Sequence, residues 1–403
     1  MGNFIVAQHG YKTGKKSYGG ILGVKISLTD QNPSTRVTYT DGLEEFESPS
    51  VWSGNVVPST DQVLSRIREL CNFRSCHIKS GETSVYKYLN PDDWRYYEDG
   101  SSAIANMASS GFNTFVEIPH FYMSITSDSS YLYVRISNTK VDDTYNDWMF
   151  SYNGSVRSKL YIGSFLGYIE NGKLYSRCGV SPTVSTPMNT YRTNARAQGQ
   201  GYDVWYFGAL VVLQVLYLMM FRSTNSQEAV CPGFTGGSSV QTTGYSINAS
   251  VGDFYRSDST STTSRFRIFG VEDLWGNLYE YCSNIYTVGN TLYATDYNTD
   301  DSSGRQIATK AFSSNYGGYI DKVMGETYFP FVIAEGGNSG SSTTFYCDYG
   351  NVNADYVALS GGYWNRGAYA GVFRLVVDSS SGGSSYCGSR LVVLCPDEYA
   401  AYS

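Results

Sequence analysis

The side chains able to do chemistry are few and poorly placed for it. The chain of 403 residues holds 3 histidines, which are His9, His77 and His120. A nucleophilic triad needs a histidine beside an activated Ser or Cys, and none of these lies by a G-x-S-x-G elbow. His120 follows Pro119 inside an expected strand, where packing is its expected role. Cys71, Cys76 and His77 sit close together, but a zinc site wants a second ligand pair at proper spacing and none follows. Gly10 to Lys16 has a phosphate-loop outline, yet its glycines are one residue too close and no Ser or Thr follows a Gly-Lys pair. No catalytic residue, cofactor or metal-ligand set is therefore expected, and only a structural calcium held by loop oxygens stays open.

What the chain has in abundance is tyrosine, 37 of them, while charged residues make up only 16%. So little charge does not support long solvated helices; it suits many short strands joined by turns, with some helix added. Tyr with Ser is also the antibody-paratope pairing, because Tyr offers contact area at low entropic cost and Ser offers adaptable hydrogen bonds. The formal net charge is −7, and no basic stripe is present to neutralise phosphates, which argues against a nucleic-acid partner. The run Lys12, Lys15, Lys16 reads as a solvated loop. The 8 cysteines lack the dense, even spacing of a disulfide scaffold and are expected to be mostly reduced and buried. The opening MGNFIVAQHG has no basic start followed by an apolar core, so no secretory signal is expected. The most apolar stretch, Phe207 to Phe221, is interrupted by Gln214 and falls short of the ~20 residues of a membrane span, which makes it a buried helix.

These side chains must be positioned by elements whose periods are visible in places. Gly23 to Leu28 alternates like a strand. Val63, Leu64, Ile67 and Leu70 recur at helical spacing, with Thr60 or Asp61 available as the N-cap. Residues 115–137 read as a two-strand hairpin, FVEIPHFYMSI and YLYVRI around a TSDSS turn. Glu170-Asn171-Gly172 marks a second hairpin. Met188 to Gln198, between Pro187 and Gly199, reads as a helix, and the apolar helix of 204–221 follows. Beyond residue 223 short strands and Gly/Ser-rich loops are expected, without helix. The fold class is α+β, with two central helices and many short strands. The expected organisation is a small N-terminal attachment or accessory region over 1–80 and one domain over 81–403.

Two segments carry a family resemblance. The first is Phe269-Gly270-Val271-Glu272-Asp273-Leu274-Trp275-Gly276-Asn277-Leu278-Tyr279-Glu280-Tyr281, where Gly276-Asn277 forms a tight turn among Trp275, Leu278 and Tyr281. It resembles the Gly-Asn-aromatic signature of the formylglycine-generating-enzyme branch of the C-type lectin fold, and as core and turn it marks a fold and not a site. The second, residues 359–393, resembles the variable region of proteins diversified by retroelements. Its frame is Gly361, Gly362 and Trp364, then Gly367 to Phe373, then Gly388, Arg390 and Leu391. Similarity to tail proteins of this class extends upstream through the EIPHFY stretch, KLYIGSFLGYIENGKL and the Phe207–Phe221 helix. The resemblance implies a receptor-binding or adhesion protein of a phage or prophage tail, with a host-surface receptor, protein or glycan, as partner alongside other tail proteins. It would act at the virion tail or on a bacterial surface, and a homotrimer is one arrangement such a protein can take.

A fixed frame with free positions agrees with the local pattern. Alternation places Phe373, Leu375 and Val377 on one face of a strand and Arg374, Val376 and Asp378 on the other, so one face can serve the core and the other a partner. Substitutions at surface positions off the core change stability by only about ±0.5 kcal/mol, which lets them vary. The expected partner-contacting set is Tyr363, Asn365, Arg366, Tyr369, Arg374, Val376, Asp378, Ser384, Ser385, Tyr386 and Cys387, rich in the Tyr and Arg of binding hot spots. Arg390, in an apolar strand, needs a buried carboxylate; Glu272, Asp273 and Glu280 are the candidates. The enzymatic branch of this fold uses paired cysteines near the C-terminus; Cys387 and Cys395 are present, but Cys387 falls at a variable position in a dissimilar context. Asn146-Asp147-Trp148 runs in the wrong order for a calcium-dependent sugar site, and Pro396-Asp397 follows a Cys, so that site is not expected.

Overall fold

The computed structural model describes residues 20–104, 107–245, 251–297, 304–312, 316–379 and 381–394. His9, the Gly10 to Lys16 loop with its lysines, Cys395 and Pro396-Asp397 lie outside the described residues. The chain is mostly β, and three sheets carry it. In the five-stranded antiparallel sheet the order is Val37–Asp41, Ile21–Ser27, Tyr131–Ser137, Tyr122–Ser127, Tyr145–Asn146. The six-stranded sheet runs Tyr202–Val204, Leu391–Leu394, Lys159–Gly163, Phe112–Pro119, Arg74–Lys79, Val85–Tyr88. A nine-stranded sheet holds the C-terminal half, with Tyr279–Val288, Val357–Ser360, Leu375–Ser379 and Tyr349–Val352 adjacent in that order.

Between the sheets lies the Phe207–Phe221 helix, in which every residue is buried, Gln214 included. A helix apolar on all sides has no solvent face and must be enclosed. Gln214 is tolerated because its Nε2 donates to the Val372 carbonyl at 2.9 Å, which ties the helix to the C-terminal segment. The helix stops at Arg222, whose left-handed φ of 49° lets its N–H reach the Leu218 carbonyl. The helix at Gln62–Leu70 buries Val63, Leu64 and Ile67, and its cap is Asp61, which accepts from the Leu64 N–H at 2.9 Å. The helix after Pro187 spans Met188–Arg196. Asn171 and Gly172 take φ of 50° and 73° in the expected hairpin, the left-handed pair that this turn requires.

Three expectations are corrected. Residues 115–137 are not one hairpin: Phe112–Pro119 belongs to the six-stranded sheet, and only Tyr122–Ser127 and Tyr131–Ser137 pair with each other. The chain changes sheet at Pro119-His120-Phe121, where His120 Nε2 meets Asp147 Oδ2 at 3.0 Å and the ring packs edge-on against Tyr122 and Phe150. Residue 80 is not a seam either, since Ile21–Ser27 pairs with Tyr131–Ser137 and Arg74–Lys79 with Phe112–Pro119. A short helix, Ser226–Ala229, and a 3-10 turn, Gly367–Tyr369, stand beyond residue 223; both are single turns, too short to show a period.

Candidate functional site

The C-terminal segment is mounted on a buried polar frame. Arg390 is 0% exposed. Its Nε and Nη2 donate to the two carboxylate oxygens of Glu280 at 2.7 and 2.8 Å, and its remaining donors reach the carbonyls of Gly163 and Glu272 at 2.9 and 3.1 Å. Glu280 is thus the carboxylate that Arg390 needs. The side chains of Glu272 and Asp273 instead take Arg265, at 3.2 and 2.5 Å. The Gly276-Asn277 turn has φ of 75° and 59°, and Asn277 Nδ2 donates to Asp273 Oδ2 at 2.9 Å. Charges buried this fully persist only when every partner is in place.

From that frame the chain leaves the Val357–Ser360 strand at Gly361, loops outward and returns at Leu375. The base of the loop is closed by Gly361 N–H to the Arg374 carbonyl and Gly371 N–H to the Gly361 carbonyl, both at 3.1 Å. Gly371 has a φ of 157°, and a Cβ there would lie 2.0 Å from the Asp348 carboxylate, so only glycine fits. Asp348 Oδ2 accepts the Phe373 N–H at 2.7 Å, and burial holds its carboxyl well above the usual carboxylate range. The loop is pinned outside as well: Trp364 N–H donates to the Asn277 carbonyl at 3.1 Å, and Gln227 Nε2 donates to the carbonyls of Gly367 and Ala370. These ties give the loop a defined shape independent of its outward side chains.

Those side chains enclose an open cavity of about 420 Å³. Of the sequence-expected set, Arg366, Tyr369, Arg374, Val376, Asp378 and Tyr386 line it; Tyr279, Tyr349, Asn351 and Leu359 complete it. Two groups of tyrosine rings flank it. Tyr279, Tyr363 and Tyr386 form one, with Tyr363 and Tyr386 stacked at 4.6 Å between centroids. Tyr319, Tyr349 and Tyr369 form the other, with centroids 5.2 to 6.2 Å apart. Arg374 joins the two groups: Nε donates to the Tyr279 hydroxyl at 2.8 Å, Nη2 donates to the same hydroxyl, and Nη1 donates to the carbonyls of Tyr349 and Tyr369 at 3.2 and 3.0 Å. Arg366 lies over the Tyr363 ring at 4.8 Å. No ion-pair partner is present for it among the described residues, and its buried Nε has no hydrogen-bond partner. Asp378 is exposed and accepts from Asn351 Nδ2 at 3.0 Å.

The rest of the expected set divides. Tyr363 is half-buried and backs Tyr386 rather than lining the cavity, Asn365 and Ser385 are exposed, and Ser384 is half-buried. The strand keeps its two expected faces: Arg374, Val376 and Asp378 line the cavity, while Phe373, Leu375 and Val377 pack in the core. Leu375, Val376 and Val377 are all buried on this interior strand of the nine-stranded sheet, so its cavity face is recessed rather than flush with the surface. Val376 forms the cavity floor, and Arg374, 3% exposed, lines it from below. Cys387 is inside as well, on a short strand parallel to Tyr279–Val288. Burial pushes its thiol up to about 12, so it carries no thiolate at neutral pH. Cys76 and His77, adjacent on one strand, point to opposite faces; His77 Nδ1 meets the Tyr97 hydroxyl at 2.9 Å, so the two cannot share a metal with Cys71.

The residues missed from sequence were Tyr279, Tyr349, Asn351 and Leu359. Tyr349 and Asn351 alternate with buried Gly350 and Val352, a period-two pattern that marks a strand with one open face. What places that strand beside Leu375–Ser379 is a parallel pairing, Asn351 with Val376, which no local signal announces.

No protein-family model matches the chain, and no curated protein matches it in sequence. Among solved structures it is similar to the Major Tropism Determinant U1 variant and P3c variant, each at 12% identity and a TM-score of 0.28, over 80% of this chain and 71% of the other. The M1 variant of the same protein aligns over the same shares with a TM-score of 0.26. With so loose a superposition, the site stands on its own residues.

Proposed function

We propose that this chain is a hypervariable receptor-binding protein of a phage or prophage tail, a binder rather than an enzyme, built on a C-type-lectin-type scaffold. Its ligand is a molecule of the host surface, and the protein acts at the virion tail or on a bacterial surface beside other tail proteins. The observation that carries this is the convergence of Arg366, Tyr369, Arg374, Val376, Asp378 and Tyr386, drawn from a segment that resembles a diversified region, on one open tyrosine-lined cavity. Beneath it, Gly361, Gly371 and Arg390 occupy positions where backbone approach or buried charge tolerates no exchange. A preorganised surface of Tyr and Arg on a rigid sheet spends little free energy on ordering when a ligand arrives. Several copies on one particle would raise weak single-site binding through avidity. Cys387, buried and protonated, gives no support to paired-cysteine oxidase chemistry.

Deep sequencing of the gene's 3′ end across a population of the source organism tests this. Substitutions should concentrate at Tyr363, Asn365, Arg366, Tyr369, Asp378, Ser384, Ser385 and Tyr386, with Gly361, Gly362, Trp364, Phe373, Gly388 and Arg390 unchanged. Uniform or absent variation would leave a fixed structural tail or baseplate component instead.

A further inference from the structure

We propose that the cavity selects an acidic sugar unit of a surface glycan, with the ligand carboxylate on Arg366 and the sugar ring between the tyrosine walls. This rests on the receptor-binding function above and adds the chemistry of the ligand. Arg366 is the cavity's one cation without a role in the fold among the described residues. Arg374 spends its donors on the Tyr279 hydroxyl and on the carbonyls of Tyr349 and Tyr369, and so serves as a positioning residue for the walls. Arg366 lines the cavity with its guanidinium over the Tyr363 ring at 4.8 Å, and its buried Nε has no hydrogen-bond partner among the described residues. A guanidinium with free donors is suited to donating two parallel hydrogen bonds to a carboxylate.

The remaining groups argue for a sugar rather than an acidic peptide. With Arg366, Arg374 and Asp378 the cavity carries one net positive charge on a chain whose formal net charge is −7, so it favours one anionic group and no more. Asp378 accepts hydrogen bonds, and Asn351 both accepts and donates. A ligand that meets them together with Arg366 carries one carboxylate and several hydroxyls on a compact frame. Tyr369 and Tyr386, 42% and 36% exposed, line the cavity from the two tyrosine groups, and aromatic faces cover the apolar C–H surface of a sugar. A concave volume of about 420 Å³ is in the range of small-molecule sites, whereas a folded protein epitope would be met by a flatter patch.

The test is binding of the full-length protein to immobilised oligosaccharides ending in galacturonic acid, glucuronic acid or N-acetylneuraminic acid. Their neutral galactose- and glucose-ended counterparts and an aspartate-rich peptide serve as comparisons. Retention of at least one acidic glycan at least about tenfold over its neutral counterpart is expected. Arg366→Gln should lose that preference while melting at the wild-type temperature, and Arg366→Lys should retain part of it. Failure to retain any acidic glycan, equal retention of neutral ones, retention of the peptide alone, or indifference to Arg366→Gln each overturns the proposal. The population-sequencing result separates the two readings: concentrated variation without acidic-glycan binding removes the ligand class and leaves the receptor-binding function standing.

Discussion

Arg390 has the Nε–Nη2 edge of its guanidinium on the Glu280 carboxylate and its other donors on backbone carbonyls, with no exposed surface. Arg366, in the same C-terminal segment, has a tyrosine ring beneath it and no carboxylate partner among the described residues. The same residue type therefore does two different jobs. The partners of Arg390 come from Gly163, Glu272 and Glu280, so changing it strands groups from several elements at once. Arg366 is enclosed by rings and open space, so changing it alters what the surface can bind and little else. Variation can be admitted where a side chain's partners are rings and solvent, and not where they are buried charges.

The largest effect should come from breaking the frame. Arg390→Met leaves Glu280 buried without a counter-charge and should cost about 3–5 kcal/mol, read as a drop in the urea midpoint. An unchanged midpoint would erase the distinction between the two arginines. Next comes acid. Burial lowers His77 from 6.5 to about 4, so the folded state holds it neutral and the unfolded chain takes up a proton first. The contribution is fully present above pH 6.5 and is lost progressively as pH falls toward 4, in total on the order of 3 kcal/mol. The slope of stability against pH in that window should be shallower in His77→Gln; equal slopes would mean that the ring carries no such penalty. Smaller again is Gly371→Ala, where strained φ and the approach to Asp348 together predict a loss of about 1–3 kcal/mol in the same denaturation series. That loss would extend the frame's intolerance to the base of the loop.

Features set by neighbours in sequence were legible before the fold. The Phe207–Phe221 helix, the Asn171-Gly172 turn and the need of Arg390 for a carboxylate each follow from local residue types. Choosing Glu280 over Glu272 and Asp273 was not legible, because that depends on Arg265, just ahead of the Phe266–Ile268 strand, folding back to claim the other two. The division of residues 115–137 between two sheets was hidden because an apolar run continues through Pro119-His120-Phe121. About half of the expected binding set reaches the cavity; of the rest, Tyr363 backs Tyr386, while Asn365, Ser384 and Ser385 lie outside the lining and Cys387 is buried on a short parallel strand. The alternation of Phe373 to Asp378 was legible, with Arg374, Val376 and Asp378 on the cavity face, but the burial of Val376 was not, because it follows from the strand's interior place in the sheet. Tyr349 and Asn351 enter through a non-local parallel pairing, so only the sheet order reveals them.

The smallest effect is the one on which free variation depends. Asn365 and Ser385 are exposed, so Asn365→Ala and Ser385→Ala should each shift stability by no more than about 0.5 kcal/mol. Made together they should be additive within about 0.3–0.5 kcal/mol if they share no partner. Thermal melts of the two single variants and the double variant decide this. A cost above about 1 kcal/mol at either position would mean that the outward side chains shape the loop. In that case the backbone ties at Gly361 and Trp364 and the Gln227 side-chain bonds are not enough to hold it, and diversity at the rim would be limited by folding as well as by binding. Near-neutral values would place the loop's shape in its backbone, where exchange of the displayed side chains leaves the cavity's outline intact.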